Sequence, residues 1–199
     1  MPRICLLPML LVLCVLPVAA QQDQTPPPTI SGQPLTAEQL SVYHALLAGW
    51  FQDAKFDANL SAVTDSSSDS IGEDAACLAP FHLEKPSAFV HRIRPEDLAA
   101  LGSSHIHLID PEFGANDVKA NDPGTAIRHG KSVDDAVNNG FRHALFTLSE
   151  IRFNADRTVA VVSYSFWCGS LCGNGSTLVF AKQKDGSWKR AKECGGYIS

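Results

Sequence analysis

The chain has 199 residues, with 16 Lys and Arg against 21 Asp and Glu, a formal net charge of −5 and 45% hydrophobic residues. That length supplies one sizeable core and hardly two. The acidic balance disfavours nucleic acid or an anionic membrane surface as a partner, because like charges repel.

Residues 1–20 read as a signal peptide: one positive charge at Arg3, an apolar run from Ile4 to Val18, and the small residues Ala19-Ala20 at a cleavage site. The run is too short to remain as a membrane span. Leu13, bulky where a lipobox needs a small residue, argues against lipidation at Cys14. The expected product is therefore exported, either periplasmic or secreted. Cleavage removes Arg3 and leaves residues 21–199 with a net charge of −6. Residues 21–35 include Pro26-Pro27-Pro28 and no apolar period, which predicts an extended tether before one domain spanning 36–199.

Thr36-Ala37-Glu38-Gln39 spells a capping box, and Leu40, Tyr43, Leu46, Leu47, Trp50, Phe51 and Ala54 recur at helical spacing, predicting a helix over 37–55. Gly49 is its weak position. A short strand is expected over 59–64, followed by an acidic exposed loop over 65–74. An EF-hand reading of that loop fails, because Ser70 and Ala76 stand where the glycine and the last glutamate belong. Residues 77–93 read as irregular packed chain with a short strand over 89–93. Pro95 to Gly102 reads as a short helix, 105–109 as a strand, and 111–131, rich in Gly, Asn and Asp, as a long surface loop. Ser132 caps a helix running to about Ala144.

The last fifty residues predict a meander. Phe146 to Phe153 alternates, with Glu150 and Arg152 on one side, and Asn154 to Arg157 forms a turn. Thr158 to Trp167 is apolar on both faces and reads as central, while Cys168 to Gly175 reads as a connecting loop. Ser176 to Lys182, the Asp185-Gly186 turn and a strand from Trp188 toward Cys194 complete it. Turns this short force antiparallel pairing. The expected fold class is α+β: a mostly antiparallel sheet built on the C-terminal meander, with the N-terminal helix and the 132–144 helix packed on one face.

Phe153-Asn154-x-Asp156, Cys168-Gly169-x-Leu171-Cys172-Gly173-x-Gly175, Trp188 and the closing Tyr197-Ile198-Ser199 together resemble the C-terminal end of a family of uncharacterised bacterial secreted proteins. Tyr197 stands where that pattern carries tryptophan. The resemblance covers about the last third of the chain and implies placement among exported proteins, with no activity attached.

Four cysteines remain after cleavage: Cys77, Cys168, Cys172 and Cys194, an even number in an oxidising compartment. The preferred pairing is Cys168 with Cys172 and Cys77 with Cys194; Cys194 joined to Cys168 or Cys172 is the open alternative. The C-x3-C spacing, with no helix starting behind the first cysteine, argues against redox exchange. Oxidised cysteines also cannot ligate zinc.

His105-x-His107 places two imidazoles on one strand face with Asp110 close behind, a candidate metal set. Glu150, with His143 just ahead of it, is the candidate general base; the competing reading makes Glu150 a partner of Arg152 on a solvated face. Trp167, Trp188 and Tyr197 are candidates for an aromatic binding platform. The mature chain lacks G-x-S-x-G, S-x-x-K, H-E-x-x-H and a P-loop. No cofactor is implied. The leading expectation is a non-catalytic exported module binding a small ligand or an envelope protein. The alternative is a small exported hydrolase or metal-dependent enzyme using His105, His107 and Asp110, or Glu150.

Overall fold

A computed structural model describes residues 32–51, 57–65, 74–85, 89–102 and 105–199. The expected signal peptide, the tether up to residue 31, the last residues of the first predicted helix and most of the acidic loop lie outside these.

Helix α1 (Ala37–Phe51) begins as its sequence spells: Thr36 N–H donates to Gln39 Oε1 (2.9 Å) and Gln39 N–H to Thr36 Oγ1 (3.2 Å). Order starts earlier than Thr36, because Gln33–Pro34 (β1) runs parallel to His91–Arg92 (β3) and Leu35 is buried.

The large sheet has seven strands: β2 (Ala58–Ser61), β4 (Ile106–Ile109), β5 (Leu145–Leu148), β6 (Arg152–Phe153), β7 (Val159–Gly169), β8 (Cys172–Lys182) and β9 (Trp188–Ile198). Their order is β4-β2-β5-β7-β8-β9, with β6 also on β7. From β5 onward the pairing is antiparallel, while β2 runs parallel to β4 and β5. The parallel part follows from connectivity, since helical segments separate those strands and supply the crossovers. The fold is thus α+β on a mostly antiparallel sheet.

One sheet face carries Ala160, Val162, Phe166, Leu178 and Phe180, which cluster with Val42, Tyr43, Leu46 and Leu47 of α1. Burial of each leucine there contributes about 1.5–3 kcal/mol. Trp50 meets Phe146 edge-on at 5.4 Å and Tyr164 at 5.2 Å. The short helix α3 (Leu98–Leu101) adds Leu101 to this core, and helix α6 (Val133–Arg142) joins the same face through Phe141, stacked on Phe166 at 5.7 Å.

The opposite face is covered differently. Leu78 of α2 (Ala75–Leu78) packs on Val161, Val179 and Cys194, and the Cys77–Cys194 disulfide fastens that segment to the edge strand β9. An edge strand offers unpaired backbone groups, and here one of them is used: Asp74 N–H donates to Cys194 O (3.4 Å).

Three expectations are corrected. Residues 111–131 are not a loop but two helices, α4 (Pro111–Ala120) and α5 (Pro123–Arg128). Each opens with Asp-Pro, the carboxylate capping free amides and the proline preset for the first turn. Phe146 to Phe153 is not one strand: it breaks between β5 and β6, where Glu150 N–H donates to Asp65 O (2.8 Å) and Ser149 Oγ accepts from Ser163 N–H (2.8 Å). Cys168 to Gly175 is not a long loop, because β7 and β8 run on until only Ser170-Leu171 separates them. Gly169 sits there at φ 143°, and a Cβ on it would lie 2.6 Å from Asp122 Oδ1, so no other residue fits.

Two glycines give opposite expectations. A Cβ on Gly140 in α6 would lie 2.5 Å from Pro123 Cγ, so Gly140→Ala is expected to cost about 1–3 kcal/mol. Gly49 in α1 has nothing within 4 Å of that position, so Gly49→Ala is expected to stabilise by about 0.5–1 kcal/mol. Chemical denaturation of the two variants checks the sign of each.

Candidate functional site

Glu150 is buried, with its side chain 3% exposed, and the surroundings explain how a carboxylate is held there. His91 Nδ1 lies 2.7 Å from Oε2, His91 N–H donates to Oε1 (2.8 Å), and the Thr64 hydroxyl lies against Oε1. On the far side of the imidazole, Gln39 Nε2 approaches His91 Nε2 at 3.4 Å. Because Gln39 Oε1 already accepts from Thr36 N–H, its NH2 faces the ring; His91 Nε2 therefore accepts, and Nδ1 carries the proton toward Glu150. Tyr43 completes the region by donating to Ser149 O (2.8 Å); burial, then the Glu150 carboxylate, holds its phenol well above the usual range. The helix cap, β3 and the β5–β6 break are thus tied by one hydrogen-bonded network. Glu150 does not share a solvated face with Arg152, because it is buried against His91, a partner no local pattern marks.

His105, just ahead of β4, and His107 on it do lie on one side, yet the third residue is different. Asp110 is the N-cap of α4, its Oδ1 accepting from Glu112 N–H and Phe113 N–H at 3.0 Å each. Asp57 instead meets the histidines, 2.9 Å from His105 Nδ1 and 3.8 Å from His107 Nε2. The His105 hydrogen bond, opposed by desolvation and helped by the nearby imidazole charges, lowers the pKa of Asp57. All three side chains are exposed, and among the described residues no group of three or more His, Cys, Asp or Glu has metal-holding geometry. His143 pairs with Asp117 (2.8 Å), away from Glu150.

The aromatic candidates separate as well. Trp188 is buried in the core beside Phe153, because its strand turns that face to α1, and it offers no platform. Trp167 is half-buried and donates to Gly169 O (2.9 Å). Tyr197 is on the surface, lining a cleft of about 470 Å³ at the open end of β8 and β9 together with Tyr164, Asn174, Ser176 and Glu193.

That cleft exists because small residues keep the strand ends bare. A Cβ on Gly175 would lie 2.6 Å from Tyr197 Cε1, and one on Gly196 2.7 Å from Gly175 O. Ser176 donates to Glu193, whose other oxygen receives Arg190. Tyr197 Oη and Ser165 Oγ are hydrogen-bonded at 2.9 Å. Burial, then the Glu193 carboxylate, raises the pKa of Tyr164. The Asn174 amide oxygen is buried without a hydrogen-bond partner among the described residues. Cys194 follows Glu193 directly, so the Cys77 link anchors one wall.

The second disulfide, Cys168–Cys172, closes the adjacent hairpin tip. Asp122 holds that tip by accepting from Ser170 N–H (3.1 Å) and Ser170 Oγ. Burial pulls the Asp122 carboxyl up, but the donors of Ser170, Thr125 and Gly124 outweigh it and leave the pKa lowered.

Sequence reading reached Tyr197 alone among the cleft residues. Glycines at 173, 175, 195 and 196 inside strands were the available sign of a bare, closely approached backbone. Among the described residues no helix is long and apolar enough to cross a membrane. Comparison with protein-family models, with curated proteins and with solved structures finds no match for this chain.

Proposed function

We propose that this is an exported, non-catalytic binding module, of the kind its C-terminal pattern resembles, which takes a small ligand in the cleft at the end of β8 and β9. The observation that carries the reading is the cleft itself: about 470 Å³, inside the range of roughly 300–1,000 Å³ used by small-molecule sites. It is lined by hydroxyl, amide and carboxylate groups beside two tyrosines. Export is supported by the leader-like residues 1–20 and by two disulfides, which persist in oxidising compartments. The candidate catalytic groups support an enzyme less well, since Glu150 is enclosed and Asp110 is occupied as a helix cap.

Amide-resolved NMR with a panel of small sugars, amines and carboxylates tests where ligands bind. Shifts are expected to concentrate at residues 173–176 and 193–198. Shifts at 105–107 instead, or at no residue with any compound, would contradict the reading.

A further inference from the structure

Building on that reading of the cleft, we infer that its occupant is a neutral polyhydroxylated ring, a mono- or disaccharide. The first argument is charge. Glu193 is the carboxylate of the site, and Arg190 sits against it, so the pair offers no net charge to hold an isolated ammonium or anion. The other polar lining groups are uncharged: the Asn174 amide and the hydroxyls of Ser176, Tyr164 and Tyr197.

The second argument is hydrogen-bond sense. Amides and hydroxyls both donate and accept, which is also the property of a sugar hydroxyl. An ammonium only donates and a carboxylate only accepts, so either would leave part of this lining without a partner. Asn174 makes the need concrete, because its oxygen is buried and unpartnered and such groups in a folded protein require an explanation. Where it stands that oxygen is closed off, and a turn about the broad χ2 would be needed to bring it to the cleft. Tyr197, exposed at the strand end, adds the third element, a flat apolar face beside polar groups, suited to a ring with C–H on its faces and O–H on its edge.

The test uses the exported, disulfide-bonded chain titrated separately with maltose, diacetylchitobiose, putrescine and succinate, followed by amide NMR. At least one of the two sugars is expected to shift Asn174, Ser176 and Glu193 in a saturable way, with putrescine and succinate leaving them in place. Asn174→Ala is expected to weaken that sugar at least tenfold with no fall in melting temperature, because it removes an acceptor that has no partner. Tyr197→Ala, at the surface, is expected to weaken it about fivefold. If putrescine or succinate shifts the cleft amides and neither sugar does, the cleft is a binding site but the sugar inference is overturned. If none of the four shifts them, or if both variants bind sugar as tightly as the parent, it is overturned as well.

Discussion

Replacing Glu150 by alanine is expected to destabilise the protein by about 3–5 kcal/mol, the cost of breaking a buried ionisable pair by removing one member. The loss is large because three groups depend on this carboxylate: the His91 ring, the His91 amide and the Thr64 hydroxyl. The His91 ring would be left in an enclosed space without its acceptor, while the His91 amide would keep only Thr64 Oγ1 (2.8 Å) and the Thr64 hydroxyl only His91 O (3.1 Å). For a chain of this length the melting temperature should fall on the order of 10 °C. Glu150→Gln should lose less, because it keeps one oxygen for the His91 amide and Thr64 while setting an NH2 against the His91 proton. His105→Ala, by contrast, alters an exposed side chain and should stay within about 0.5 kcal/mol of the parent. Thermal unfolding of the three variants would refute the network's structural role if Glu150→Ala melted with His105→Ala.

The second large effect concerns the disulfides. Cys77 and Cys194 are 117 residues apart and Cys168 and Cys172 only 4. In the chain-entropy account the long closure is worth about 5 kcal/mol and the short one about 2. A Cys77→Ser, Cys194→Ser double variant is therefore expected to unfold at a markedly lower guanidinium concentration than a Cys168→Ser, Cys172→Ser double variant. If the cleft binds as proposed, the first should also weaken that binding, because Cys194 holds the strand that carries Glu193. Equal midpoints for the two variants would show that the long link does not constrain the chain as described.

The meander was readable because its signals are local. Alternation from Val159 to Trp167, Asp185-Gly186 at a turn and Asn154 before a reversal each act within a few residues, and the structure follows them. Helix α1 was readable for the same reason, from its capping box and apolar spacing. The failures share a cause of the opposite kind. Helices α4 and α5 carry no apolar period, and only their Asp-Pro openings mark them. The break at Glu150 depends on Asp65, brought beside it by the parallel pairing of β2 with β5, which no local pattern encodes. His91 and Asp57 reach their partners across 59 and 48 residues of sequence. The cleft is legible only as glycines inside strands, since its shape comes from the register of β8 on β9.

Disulfides flank that register on both sides, one joining β9 to the α2 segment and one joining β7 to β8, and digestion of unreduced protein with mass mapping of the linked peptides tests them directly. Two links are expected, one joining the peptide of Cys77 to that of Cys194 and one within the Cys168–Cys172 hairpin. Four free thiols, or Cys194 joined to Cys168 or Cys172, would contradict the covalent fastening of α2 to β9 and remove the oxidised state that supports the proposed export.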